Sequence, residues 1–224
     1  MGHAIGNSLP AAVGVAISPL PIVAVVLMLV TRQGRVNGPA FVLGWLLGLG
    51  VVGAIVLSVA GGADASKSGQ PADWVSWLKL VLGVLLLLVA AKQFRDRPRS
   101  ASEVVTPKWM GALDGFTPVK ALGAGAALAA VNPKNLLLVV AGAAAIAETG
   151  ISTGDQIVAF VVFAVIATIG VGAPVVLYFA LGERSRAILE ELKTWMSANN
   201  TVIMGVLLLV LGWKLIGDGI SGLS

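Results

Sequence analysis

Asn132-Pro133-Lys134-Asn135 interrupts an apolar run that extends from about Val119 to Ala147. A run of this length crosses a bilayer with some tilt. Lys134 falls near its middle, where a lysine costs about 2.5–3.5 kcal/mol on insertion scales. It is therefore expected to face a cavity, a partner or a ligand rather than lipid. Pro133 lacks a backbone N–H and crowds the preceding turn, which breaks or kinks the helix. The carbonyl freed near Ala129 and the side chains of Asn132 and Asn135 then supply polar groups at membrane depth. Such groups are tolerated only where protein buries them or where they line a cavity. A broken helix with a buried cation at mid-membrane is the usual anatomy of a secondary-transporter site. The other reading is a structural kink, with Lys134 snorkelling or paired to a carbonyl.

Outward from this stretch, composition sets the class. Of 224 residues, 57% are hydrophobic and only 12% charged, against about 25% charged in ordinary soluble domains. Mean hydropathy is +0.94. These values describe an all-α polytopic membrane protein with room for six spans and no separate soluble domain. No cysteine is present, which excludes thiol redox chemistry, disulfides and thiolate metal sites. His3 is expected in a disordered N-terminus. The stretch from Met1 to Pro10 has no Lys or Arg, so no cleaved signal peptide is expected.

The six apolar runs are about Pro10–Val30, Ala40–Ala60, Trp74–Ala91, Val119–Ala147, Gln156–Leu181 and Thr201–Gly217. Their first, third and fifth connections carry Arg32, Arg35, Lys92, Arg95, Arg97, Arg99, Lys108, Arg184, Arg186 and Lys193. The second and fourth carry only Lys67, beside Asp64, Asp73, Glu148 and Asp155. The positive-inside rule puts the basic connections in the cytoplasm and both termini outside, in a bacterial cell (inner) membrane. Gly182–Asn200 reads either as an amphipathic segment on the membrane surface or as a polar linker helix.

The two halves repeat. Gly83-Val84-Leu85-Leu86-Leu87-Leu88-Val89-Ala90-Ala91-Lys92 matches Gly205-Val206-Leu207-Leu208-Leu209-Val210-Leu211-Gly212-Trp213-Lys214 at six of ten positions. Ala16-Ile17-Ser18-Pro19-Leu20-Pro21 mirrors Ala130-Val131-Asn132-Pro133-Lys134-Asn135 at an offset eight residues shorter. Three helices per half make the second half enter from the opposite side, so the repeat is inverted. Residues 1–95 form the first repeat, 96–116 a basic cytoplasmic connection and 117–224 the second repeat. Paired proline-interrupted segments in corresponding positions of two halves point to a substrate site.

At these residues the chain resembles the LysE-type exporter superfamily. Within it, the likeness is to the actinobacterial GAP-like family, named for addressing glycopeptidolipid or sulfolipid to the cell surface. Ala130-Val131-Asn132-Pro133-Lys134-Asn135-Leu136, Ser18-Pro19-Leu20-Pro21 and Thr117-Pro118-Val119-Lys120-Ala121 carry the likeness, which covers essentially the whole chain. Amino-acid exporters of the superfamily tend to carry Pro-Gly-Pro where this chain has Pro19-Leu20-Pro21. The thiol-electron carriers of the wider group need paired membrane cysteines, which are missing here. The resemblance implies a membrane protein that moves a surface (glyco)lipid or lipid-linked precursor outward, alongside lipid-synthesis or export machinery.

The expected substrate-binding residues are Ser18, Pro19, Pro21, Asn132, Pro133, Lys134 and Asn135. Helix N-termini at the two breaks, each with about half a positive charge, would join Lys134 in a pocket suited to phosphate, sulfate or carboxylate. Asp114 and Lys120 flank the cytoplasmic mouth and are the candidates for gating or coupling. Lys79, near the outer start of the third run, is expected to snorkel. Gly44 and Gly48 form a Gly-x-x-x-Gly that permits close helix packing inside the bundle or in a homodimer. No catalytic residue, metal, cofactor or nucleic-acid partner is expected. There is no phosphate-binding Gly-x-x-x-x-Gly-Lys-Ser/Thr loop, and an enzyme would need a nucleophile with a base or a carboxylate pair. A non-transporting scaffold for a lipid-export complex and efflux of a small polar metabolite are the alternatives.

Overall fold

The structure, a computed structural model, describes residues 1–62, 66–67, 70–95 and 115–223. Among these are eight α-helices: α1 (Gly2–Ala16), α2 (Pro19–Leu29), α3 (Gly34–Gly62), α4 (Asp73–Arg95), α5 (Pro118–Ala130), α6 (Pro133–Ala147), α7 (Thr153–Leu181) and α8 (Ser185–Ser221). A two-residue antiparallel pairing of Ser66–Lys67 with Gln70–Pro71 lies between α3 and α4. One turn of 3-10 helix joins α7 to α8. The expected all-helical class holds.

Helix starts follow a repeated local rule. A polar residue in extended conformation precedes a proline that fills the first helical position: Ser18-Pro19, Thr117-Pro118 and Asn132-Pro133. Proline's fixed φ suits that position, and its missing N–H is one that has no intrahelical acceptor there. Whereas Pro10, Pro39 and Pro174 lie inside helices, such a proline after an extended polar residue disfavours continuation of a helix that arrives from upstream. Hence α1 stops at Ala16 and α5 at Ala130, and the chain bends by 49° into α2 and by 62° into α6. Both proline breaks fall where the sequence places them.

By length and composition the described helices give three to five candidate spans. Gly34–Ala60, Asp73–Arg95 and Thr153–Ser221 are long and apolar enough to cross a membrane, and each bent pair taken as one span raises the number to five. The helices α1, α2, α5 and α6 hold 15, 11, 13 and 15 residues. Each is thus roughly 16–23 Å long, short of a hydrocarbon core of about 30 Å. No member of either pair is long enough to cross alone. In the third stretch α7 and α8 follow one another almost without a gap, the chain turning at Gly182 with φ 54°.

One local expectation changes. The N-terminus is helical from Gly2, because Ala4 and Ser8 are buried against the bundle. Pro174 lies inside α7, which runs from Thr153 to Leu181. Residues 182–200 divide between the 3-10 turn and the start of α8, where Leu189 is buried and Ile188 and Trp195 are exposed.

Small residues set the packing. Lipid tails are as apolar as leucine, so helices in a bilayer associate through close contact rather than through hydrophobic transfer. The helix α3 lies along α5, α7 along α1, and α4 along α8, while α6 also packs on α1 and α3. A Cβ at Gly44 would lie 1.9 Å from the Leu122 carbonyl oxygen, and one at Gly48 2.6 Å from that of Ala126. Gly125 answers from α5, with the Phe41 carbonyl oxygen 2.1 Å from its Cβ position. The Gly-x-x-x-Gly thus works inside the bundle. On the other flank, the Cβ position of Gly170 is 1.7 Å from the Ala16 carbonyl oxygen.

Replacing Gly125 or Gly170 by valine is expected to cost at least the 1–3 kcal/mol typical of overpacking. Gly123→Val, at a position with open space around it, is the control. Thermal unfolding in detergent checks this, with a lowered midpoint expected for the first two variants only.

Candidate functional site

The second break is closed by its own side chains. Asn132 caps α6, its Oδ1 accepting from the Lys134 backbone N–H at 3.2 Å. Asn135 Nδ2 donates to the Leu128 carbonyl at 2.9 Å, reaching back across the break to the end of α5. Asn135 is fully buried, and its Oδ1 has no hydrogen-bond partner among the described residues. The first break is plainer. Ser18, Pro19 and Pro21 are buried, and Ser18 caps α2 without a side-chain hydrogen bond.

The two breaks flank one helix contact. A Cβ at Gly14 would lie 3.1 Å from a Leu138 methyl. Gly14 stands one turn before the first break and Leu138 about one turn after the second. The α1–α6 contact thereby lies within about one turn of each break. On α3, Asn37, Phe41 and Trp45 share one face and are all buried. Asn37 Nδ2 donates to the Phe116 carbonyl at 2.8 Å, tying the start of α3 to the approach to α5. The Trp45 Nε1–H is a buried donor with no partner among the described residues.

Lys134 bonds a side-chain amide rather than a backbone carbonyl. Its Nζ donates to Gln93 Oε1 of α4 at 2.6 Å, and the side chain is half-buried. The partner is a neutral amide, so the positive charge is held in place without being cancelled. Lys79 is the contrast. It does not snorkel: it is buried on α4 and forms an ion pair with Glu148, the residue that ends α6, both side chains less than a tenth exposed. A buried lysine with a carboxylate partner is electrically closed to an anion, whereas Lys134 on an amide is not.

Both bridges join α6 to α4. The same fourteen-residue spacing separates Lys134 from Glu148 and Gln93 from Lys79, about 21 Å along either helix. The helices therefore run antiparallel, tied at each end of α6. Gln93 and the Lys79–Glu148 pair are the functional candidates that sequence reading missed. Glu148 reads as part of an acidic connection, and Gln93 as the polar end of a span. The one available signal is that a mid-span lysine needs a partner.

Lys120 is exposed at the start of α5, where its backbone N–H meets Thr117 Oγ1 at 3.4 Å. Asp114 lies outside the described residues, as do Asp64, Arg97, Arg99 and Lys108. No group of three or more His, Cys, Asp or Glu placed to hold a metal ion occurs among the described residues.

A family model described as Sap, sulfolipid-1-addressing protein, matches residues 9–221. No curated protein and no solved structure matches the chain.

Lys79→Met is expected to destabilise by about 3–5 kcal/mol, because it leaves the Glu148 carboxylate buried and uncompensated. Combining it with Glu148→Met should recover most of that loss, since a buried ion pair and an apolar pair of similar volume are often equivalent. Thermal unfolding of the single and double variants in one detergent reads the difference.

Proposed function

The chain belongs to the sulfolipid-1-addressing protein family, and we propose that it is an integral membrane transporter or export factor that moves a surface (glyco)lipid or lipid-linked precursor across the cell membrane. The observation that carries this reading is the unequal pairing of the two lysines. Lys79 is paired with the Glu148 carboxylate, while Lys134 is paired with a neutral amide, beside a helix N-terminus. Cation and helix end both favour an anion. A sulfate, phosphate or carboxylate on the polar end of a lipid fits that electrostatic setting. The buried Asn135 Oδ1, one residue along from Lys134, adds an acceptor suited to hydroxyl groups.

The architecture proposed is six spans in two inverted three-helix repeats, as in LysE-type exporters. Each bent pair counts as one span, and α7 and α8 count separately. A helical stretch of 69 residues would run roughly 100 Å, about three times the hydrocarbon thickness. The packing supports the repeat. If α1 to α4 correspond to α5 to α8, the contact of α3 with α5 mirrors that of α7 with α1, and α4 and α8 pair with each other across the axis. The offset that aligns Gly83 with Gly205 also carries Gly48 onto Gly170, and each meets a backbone carbonyl of the other half's broken helix. The Lys/Arg bias of the connections supports an inner-membrane orientation with both termini outside. The protein is proposed to bind substrate rather than to catalyse a reaction, and to work beside lipid-synthesis or export machinery.

A strain lacking the protein, complemented at matched membrane abundance, tests this. Wild type is expected to restore the surface lipid, and Lys134→Ala to lower it at least tenfold while the lipid accumulates inside. Full restoration by Lys134→Ala would make Lys134 structural and sink the anion site. An unchanged lipid profile in the deletion strain would overturn lipid export itself.

A further inference from the structure

One cleft lies away from the Lys134 site. It opens between α3, α4 and α6 near the end of the bundle where α3 finishes at Gly62, α4 starts at Asp73 and α6 finishes at Ala147. Its volume is about 240 Å³. Ile55, Val59, Trp74, Leu78, Val140 and Ala144 are among its walls, and no charged residue lines it. The charges adjacent in sequence to lining residues are Asp73, beside Trp74 at the start of α4, and Lys79 and Glu148, which pair with each other.

We infer that this cleft seats one acyl chain of a membrane lipid, with the lipid's polar end at the level of Trp74. Three observations lead there. First, the rim residues Ile55 and Val59 are about three-fifths exposed on a helix that reads as a span, so the opening faces hydrocarbon. Second, hydrocarbon provides no hydrophobic drive to close a gap between helices. An empty gap forfeits dispersion contacts that a flexible chain would restore. The gap exists because α6 presents alanine there: Ala144 and Ala147 are too small to fill it. Third, Trp74 and Trp77 open α4 beside Asp73. Tryptophans at a span end mark the headgroup level, so a chain entering below Trp74 would leave its head in the polar layer. This deepens the lipid-handling function proposed above and rests on it for the meaning of the site, though not for the binding itself.

The test uses the full chain in phosphatidylcholine–phosphatidylglycerol vesicles doped with a phospholipid that carries a diazirine on one acyl chain. After irradiation, adducts are mapped by mass spectrometry. They are expected to be enriched at least fivefold on Leu78, Val140 and Ala144 over the lipid-facing residues Val161 and Val165 of α7. Ile55→Trp, which fills the cleft from its exposed rim and spares the buried packing, should lower the cleft adducts at least fivefold and leave those on α7 unchanged. Ala144→Leu fills it from the floor and should act alike.

Adducts spread evenly over the exposed helix faces, or cleft adducts indifferent to Ile55→Trp, would overturn the proposal. So would occupation by a second copy, read as disulfide-linked dimers of an Ile55→Cys variant, for which the cysteine-free chain gives no background. Failure of export is read separately. Cleft adducts that form as expected, in a protein whose deletion changes no surface lipid, would keep the acyl site and reject the transport role.

Discussion

The hydrogen bond from Asn135 to the Leu128 carbonyl answers the constraint on which the rest of the structure depends. A backbone polar group inside a bilayer has no water to turn to, so a broken helix survives there only if the protein supplies partners. Pro133 removes one donor and ends α5. Asn132 and Asn135 then stitch the two helix ends together, one by capping α6 and one by reaching back to α5. With the break secured, the 62° bend becomes a fixed feature. It turns the chain from α5, which runs along α3, into α6, which packs on α1 as well as on α3.

The bundle that holds these breaks is assembled from small residues. Glycines on α3, α5 and α7 bring backbones into contact at Leu122, Phe41 and Ala16, where any side chain would intrude. The same economy of volume has a consequence on α6. Its alanine-rich second half packs closely against α1 and α7, but at its far end the small side chains leave the cleft beside α3 and α4. Tight packing and an apolar opening thus come from one compositional choice. In hydrocarbon the opening is stable, because nothing but direct contact would draw the helices together.

Charge is distributed with equal consequence. Two lysines lie inside the helical bundle, each opposite a residue on the other of α4 and α6. One meets a carboxylate and the other an amide. The first pair closes the far end of α6 as a neutral unit. The second leaves a net positive charge at the break, where the N-terminus of α6 adds its own field. The outcome is an electropositive point at the break, the setting on which the proposed anion site depends.

The amino-acid sequence by itself determined the helical membrane class, both proline breaks and the polar cluster at Asn132–Asn135. These follow from composition and from the covalent chemistry of proline, which act within a few residues. It also marked Gly44 and Gly48 as a close-contact pair, though not against which helix. What only the tertiary structure decided is the partner of each buried charge. Gln93 lies 41 residues from Lys134, and Glu148 looks like a loop acid until the end of α6 is laid beside Lys79. The cleft at the Trp74 end was equally illegible, since its walls come from three helices whose spacing no local pattern encodes. Proline and composition speak locally, whereas charge neutralisation and void volume are properties of helices brought side by side.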